Sequence, residues 1–268
     1  MSKFVIYHNH CWDGLASAWV AKQALPDATL YPGTHQDPPP DVTGQDVVII
    51  DFSYKRAILS EMITKANSLL VIDHHATAQE DLSGLDNCIF DLNKSGSGLA
   101  WDHFFPDKPR PWIINYIEDQ DLWRFALPAS KEINAGISSY PRTLDTFDSL
   151  GSIPWDGELP WGFIEQLVTT GAAIIKYRDQ LVQRIINHSK IIEFEGYKIP
   201  IVNTAILHSE VGAKFSEKYP FSLTWFYENG FYIYSLRSSS MDISPIALKY
   251  GGGGHPKSSG FRLKYLIT

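Results

Sequence analysis

Three short apolar runs set the frame of this chain. Phe4-Val5-Ile6-Tyr7 leads into His8, Val47-Val48-Ile49-Ile50 into Asp51, and Leu69-Leu70-Val71-Ile72 into Asp73-His74-His75. Uninterrupted apolar tetrads containing β-branched residues predict strands covered on both faces, the habit of a parallel sheet between helical layers. Between them, helices are predicted over about Asp13 to Leu25, where Leu15, Ala16, Ala18, Trp19, Ala21 and Ala24 are small or apolar, and over Tyr54 to Ala66. The β–α–β–α–β rhythm predicts a doubly wound parallel sheet. Pro38-Pro39-Pro40 reads as a loop and Cys88-Ile89-Phe90 as a further short strand. Arg110 to Gln120 reads as a helix with Trp112, Ile113, Ile114, Tyr116 and Ile117 on its apolar side.

The longest helical pattern covers residues 160 to 192, after the Pro/Gly-containing Ile153-Pro154-Trp155-Asp156-Gly157, and reads as a connector. Beyond it the texture changes. Strands are predicted at Tyr197 to Val202, Ser222 to Tyr227, Phe231 to Leu236 and Gly260 to Leu263, with Glu228-Asn229-Gly230 as a hairpin turn. Short helices are predicted at Glu210 to Lys218 and Ile243 to Lys249. The expected fold is α/β: a larger N-terminal lobe, residues 1–190 with the connector helix, and a smaller α/β lobe, residues 191–268. No internal repeat is visible.

Composition narrows the class. With 268 residues, 44% of them hydrophobic, the chain can bury a full core. No apolar run approaches the roughly 18 residues of a membrane span. The N-terminus has no basic segment followed by an apolar one, so no secretory signal is expected. Only Cys11 and Cys88 occur, which fits a reducing, cytoplasmic setting. The formal net charge of −7 argues against stable binding of long duplex DNA. It leaves room for a short oligonucleotide or a small phosphorylated substrate.

The chemistry gathers at the strand ends. Ligands of such sheets bind beyond the carboxyl ends of the strands, where His8, Asp51, Asp73, His74 and His75 fall. An Asp after a strand can simply cap a helix, and a single His can be structural. Three strands ending in metal-type ligands predict a dinuclear metal centre. Asp13 sits in the first turn of a helix, whose amide dipoles favour an acid. Glu118, Asp119 and Asp121 stand among aromatics, which is costly without a cation nearby. Ser95-Gly96-Ser97-Gly98 precedes a helix and is either an anion site or an ordinary cap.

Gly251-Gly252-Gly253-Gly254-His255-Pro256 spends more chain entropy than a turn requires. Either a backbone approaching a ligand or a hinge would account for it. Arg237 ends a predicted strand, where it is either a bidentate phosphate contact or a surface arginine. A nicotinamide-type enzyme would carry a glycine fingerprint after its first strand. That position is occupied by His8 and Asp13 instead.

Asp73-His74-His75, Asp51, His8 with Asp13-Gly14, and the terminal GGGGHP together resemble the DHH phosphoesterase superfamily with its C-terminal DHH-associated domain. Tyr7-His8-Asn9-His10-Cys11-Trp12-Asp13-Gly14 is similar to the opening motif of the exopolyphosphatase-like, oligoribonuclease-like branch. The resemblance implies two lobes with the active site between them, and two Mn²⁺ ions, with Mg²⁺ as the alternative. Carried over, the metal ligands are His8, Asp13, Asp51, His74 and Asp121, with Asp51 bridging. His75 faces the scissile phosphate and Asp73 orients the histidines. Arg237, Gly252, Gly253, Gly254 and His255 contact substrate. The implied activity is hydrolysis of phosphoester bonds in short oligonucleotides or nucleotides, exonuclease-like. The alternatives are a polyphosphate or pyrophosphate hydrolase, or a nucleotide-binding protein with a degenerate metal site. A homodimer is compatible with all of these.

One position departs from that pattern. Many members carry a second Asp two residues before the one matched by Asp13. Cys11 stands there, and the interval from His8 to Asp13 is one residue shorter. The first metal site then either uses His10 or Cys11, holds its ion weakly, or stays vacant.

Overall fold

The computed structural model of the protein describes residues 3–9, 11–153 and 161–267. His10 and most of the Pro/Gly-containing stretch before the connector lie outside the described residues. The chain forms two compact units, Met1–Ile175 and Lys176–Thr268. The division falls inside the long helix, upstream of the expected boundary near residue 190.

The first unit is built on five parallel strands: β1 (Lys3–His8), β2 (Thr29–Gly33), β3 (Asp46–Ile50), β4 (Ser68–Asp73) and β5 (Cys88–Phe90), in spatial order β2-β1-β3-β4-β5. Its helices are α1 (Trp12–Ala24), α2 (Arg56–Lys65), α3 (Ala76–Asp81), α4 (Gly96–Phe104), α5 (Trp112–Asp121), α6 (Ser130–Ile137) and α7 (Leu144–Gly151). Strand alternation serves both faces. Val5, Ile50 and Ile72 pack with Trp19, Val20, Trp101, Trp112 and Phe147 on one side. Ile6, Ile49 and Val71 pack with Phe52, Leu59, Met62 and Leu82 on the other. Each fully buried aliphatic side chain contributes roughly 1.5–3 kcal/mol.

The strand order reverses between β1 and β3, because β2 lies on the far side of β1. That crevice at the carboxyl ends is where a doubly wound sheet binds ligands. His8 closes β1 and Asp51 directly follows β3. Strand β2 has no counterpart in the sequence expectation: its Thr-Leu-Tyr-Pro-Gly lacks an apolar run. Pro32 is tolerated because β2 is an edge strand.

Helix α8 (Trp161–Ile186) crosses between the units. It ends earlier than the expected residue 192, and β6 (Lys190–Phe194) pairs with β7 instead. Ile191 and Ile192 fit a pleated surface better than a helix end. The second unit continues with β7 (Tyr197–Asn203), α9 (His208–Phe215), β8 (Ser222–Glu228), β9 (Phe231–Arg237), α10 (Ser244–Lys249), β10 (Gly253–His255) and β11 (Ser258–Leu263). Its six strands lie in order β10-β11-β9-β8-β7-β6, antiparallel except for β7 with β8. Phe221, Leu223, Tyr234, Leu236, Ile243 and Ile246 form its core. Asn229 and Gly230, both at positive φ, make the hairpin between β8 and β9. Among the described residues, no helix is long and apolar enough to cross a membrane.

Candidate metal centre

Asp51 is the hinge of the site. It leaves β3 with φ of 55°, donates its amide to Ile72 O at 2.9 Å, and is 1% exposed. A non-glycine residue in this region costs about 1–2 kcal/mol, and Asp is among the few that tolerate it. Its two oxygens face different neighbours. Oδ1 lies 3.1 Å from His74 Nε2, while Oδ2 lies 3.5 Å from His8 Nδ1 and 3.3 Å from Cys11 Sγ.

Asp51 and His74 take part in several overlapping donor sets. His8, Cys11 and Asp51 form one, Asp13, His74 and Asp121 another, and Asp51, Asp73, His74 and His75 a third, each with ligand atoms within 4.8 Å of one another. His74 Nε2 sits 3.9 Å from Asp13 Oδ2 and 3.6 Å from Asp121 Oδ2. Asp13, Asp51, Asp73 and His74 are all at most 2% exposed. Two unit charges about 4 Å apart at the effective dielectric of a protein interact by roughly 4 kcal/mol. Such a group of carboxylates therefore demands positive charge among them.

The protonation equilibria express that demand. Burial and then the Asp51 and Asp121 carboxylates push Asp13 well above the usual carboxylate range. Crowding and Asp51 push Asp121 up as well, although its side chain keeps 29% exposure. Burial opposes the charged form of Asp51, yet the hydrogen bonds from His74 and His8 outweigh it and hold the group well below its ordinary value. For His74 burial opposes the cation, but the bond to Asp51 and the three acids raise it to about 10. His74 and His75 are both pushed towards their charged forms by the acids beside them. A divalent ion meets the same need, and the nitrogen, oxygen and sulfur donors are those that bind one.

Supports around the site are specific. Asp13 is held by the start of α4: Gly96 N donates to Oδ2 at 2.7 Å, and Ser97 N and Oγ donate to Oδ1 at 3.2 and 2.5 Å. The donors at the Ser95–Gly98 helix start are therefore taken up by the protein's own Asp13 carboxyl group. A side chain on Gly96 would meet Asp51 Cα at 2.7 Å, so glycine is required for this close approach. The three acids of α5 separate into three tasks. Glu118 pairs with Arg110 at 3.0 Å and accepts Ser95 N at 2.9 Å. Asp119 accepts the amides of Ala126 and Leu127. Asp121 turns to His74.

Asp73 organises the histidine pair. Its Oδ1 accepts His74 N at 2.7 Å, His75 N at 3.3 Å and His75 Nδ1–H at 2.7 Å. Burial works against its charge, yet His75 keeps it at about 2. Its Oδ2 has no partner among the described residues. One residue absent from the sequence reading joins the cluster: His35, just past β2. Its ring centroid lies 5.1 Å from His8 and 6.0 Å from His75. Crowding and those two imidazoles push it down to about 3, although the residue is exposed. Its only sequence signal is a place after Gly33, with no apolar run before it.

In the second unit, Arg237 ends β9. Nε and Nη2 reach Ser209 Oγ at 3.3 and 3.1 Å, and Nη1 donates to Leu236 O at 2.8 Å. Crowding lowers it to about 10, so it remains a cation at neutral pH. His255 pairs with Ser258, and Ser258 in turn with Arg237, so the two lie at one end of this sheet. Gly253 and Gly254 belong to β10. A side chain on Gly252 would meet Gly260 O and Phe261 Cβ, and one on Gly254 would meet Ser258 O at 2.6 Å. Packing against β11 thus accounts for those two glycines.

No family model matches the chain. An uncharacterized protein, R106, of Acanthamoeba polyphaga mimivirus is 32% identical over 287 residues, covering 96% of this chain. The chain spans 66% of that relative's length. A pGpG-specific phosphodiesterase from Vibrio cholerae superposes with 15% identity and a TM-score of 0.49, covering 98% of this chain and 93% of its own. An exopolyphosphatase-related protein from Bacteroides fragilis has 15% identity and a TM-score of 0.43, covering 99% and 88%.

Proposed function

We propose that this chain is a two-metal phosphoester hydrolase of the DHH superfamily, acting on short oligonucleotides or nucleotides. The observation that carries the reading is the Asp51 carboxylate, whose two oxygens face two separate donor sets. His8 and Asp51 on one side, with Asp13, His74 and Asp121 on the other, are the ligands in this reading. Mn²⁺ suits mixed Asp and His donors better than Mg²⁺, which favours oxygen alone.

Cations held there supply Lewis acidity, lowering the pKa of water and neutralising charge that develops on phosphoryl oxygens. The protein's own groups do the rest. Asp73 fixes His75 through Nδ1, which turns Nε2 towards a phosphoryl or leaving-group oxygen. The start of α4 holds Asp13 in one orientation, so a ligand oxygen is not free to swing away. Arg237 and His255, neighbours across β11, are the groups assigned to phosphate or nucleotide recognition.

The test is hydrolysis of short RNA, short DNA, linear and cyclic dinucleotides, phosphoadenosine phosphate and polyphosphate, with Mn²⁺ and with Mg²⁺. Asp51→Ala is expected to lower turnover by roughly a hundredfold or more, the scale of losing one preorganised electrostatic group. Near-wild-type turnover of that variant with Mn²⁺ would refute the assignment. Turnover confined to polyphosphate would keep the centre and replace the substrate class.

A further inference from the structure

Cys11 is a poor choice for the place it occupies. It is the N-cap of α1, with φ −117° and ψ 162°, a position that favours Ser, Thr, Asp or Asn. A free cysteine ordinarily behaves as a small buried hydrophobe. This one is ringed by polar atoms: Gly14 N donates to Sγ at 3.0 Å, His8 Nδ1 is 3.4 Å away, and Asp51 Oδ2 is 3.3 Å away.

The spacing of those three donors is itself informative. Sγ to Nδ1 is 3.4 Å, Sγ to Oδ2 is 3.3 Å, and Nδ1 to Oδ2 is 3.5 Å. Ligands about 2.0–2.3 Å from a tetrahedral ion stand roughly 3.3–3.6 Å apart, so the three atoms already outline one face of a tetrahedron. All three residues come from the first unit, two from the β1–α1 corner and one from the end of β3.

We propose that Cys11 is a thiolate ligand of the site it forms with His8 and Asp51, and that this site selects a borderline-soft divalent cation such as Zn²⁺ or Fe²⁺. The inference rests on reading the cluster as a metal centre. Its second set, Asp13, His74 and Asp121, offers only oxygen and nitrogen and suits a harder ion, so the centre is a mixed pair. Entry of the ion displaces the thiol proton to solvent, and the Gly14 amide then faces the thiolate sulfur.

Co²⁺ titration of the full chain tests this with an optical readout. Wild-type protein is expected to give a sulfur-to-cobalt charge-transfer band together with d–d bands. Cys11→Ser should lose the charge-transfer band, keep d–d bands from the other site, and bind Co²⁺ at the altered site at least tenfold more weakly, since losing a ligand costs no less than losing a group that orients one. Cys88→Ser, altered on β5, should keep both features. A wild-type spectrum with d–d bands but no charge transfer overturns the thiolate and leaves the metal centre standing. A charge-transfer band lost in Cys88→Ser and kept in Cys11→Ser also overturns it. Absence of any cobalt spectrum in wild-type protein defeats both the thiolate and the metal-centre reading.

Discussion

Two glycine-rich stretches, Ser95–Gly98 and Gly251–Gly254, look alike on paper and do different work. In the first, Gly96 and Ser97 turn their amides onto the carboxylate of Asp13, and Gly96 lies against the backbone of Asp51. In the second, Gly252 and Gly254 lie against Gly260, Phe261 and Ser258 of the adjoining strand. Gly96 in the first and Gly252 and Gly254 in the second are glycine because another backbone comes too near for a Cβ. Only the first delivers its close approach to the acidic cluster. Glycine content alone therefore marks close packing, and the neighbour decides whether that packing serves chemistry.

The hardest test of that contrast is Gly96→Ala. Its Cβ would lie 2.7 Å from Asp51 Cα and 2.8 Å from Asp51 Cγ, atoms fixed at the end of a central strand. Overpacking of this kind costs about 1–3 kcal/mol. Here it should also displace a ligand, so divalent-ion affinity falls at least tenfold with stability, read by metal titration beside urea unfolding. A variant with unchanged metal affinity would break the link between the α4 cap and the centre.

Gly252→Ala should produce the same range of destabilisation, about 1–3 kcal/mol, without touching the metal centre. The expected pattern is a lowered unfolding midpoint with wild-type Co²⁺ spectra. Altered spectra would erase the distinction between the two stretches.

A smaller effect lies behind the first stretch. Arg110 links Asp102 of α4 to Glu118, which accepts Ser95 N. Partial burial opposes the Asp102 charge, but Arg110 and Lys94 hold its carboxyl below the usual range. A depressed carboxyl gives stability that is present above its unfolded value near pH 4, and that stability is lost as pH falls through the lower folded value. Wild-type stability should therefore decline below about pH 4, and Asp102→Asn should show a shallower decline. The difference should stay under ~1 kcal/mol because the side chain is 36% exposed. Parallel slopes for the two proteins would remove Asp102 from the account.

The fold class was legible in the chain because its signal is local. Four consecutive apolar residues ending in Asp or His announce a buried strand and its carboxyl tip, and β1, β3 and β4 lie where those runs are. Strand β2 was not, since an edge strand with Pro32 needs no apolar run, and with it went His35. The end of α8 was misread because Ile191 and Ile192 continue a helical period while pairing in a sheet.

The linear sequence, then, determined the parallel sheet, its two-unit α/β layout and the acids and imidazoles at its strand tips. It could not determine which groups those tips would meet. Asp13 finds its amides 83 residues away at Gly96, and Asp51 finds the Cys11 sulfur at a separation of 40. Periodicity reports a residue's burial, whereas hydrogen bonds and ligand geometry depend on distances that only the packed chain creates. Tertiary structure alone assigned Glu118 to Arg110, Asp119 to a turn and Asp121 to His74, because three carboxylates within four residues at one helix end point in three directions.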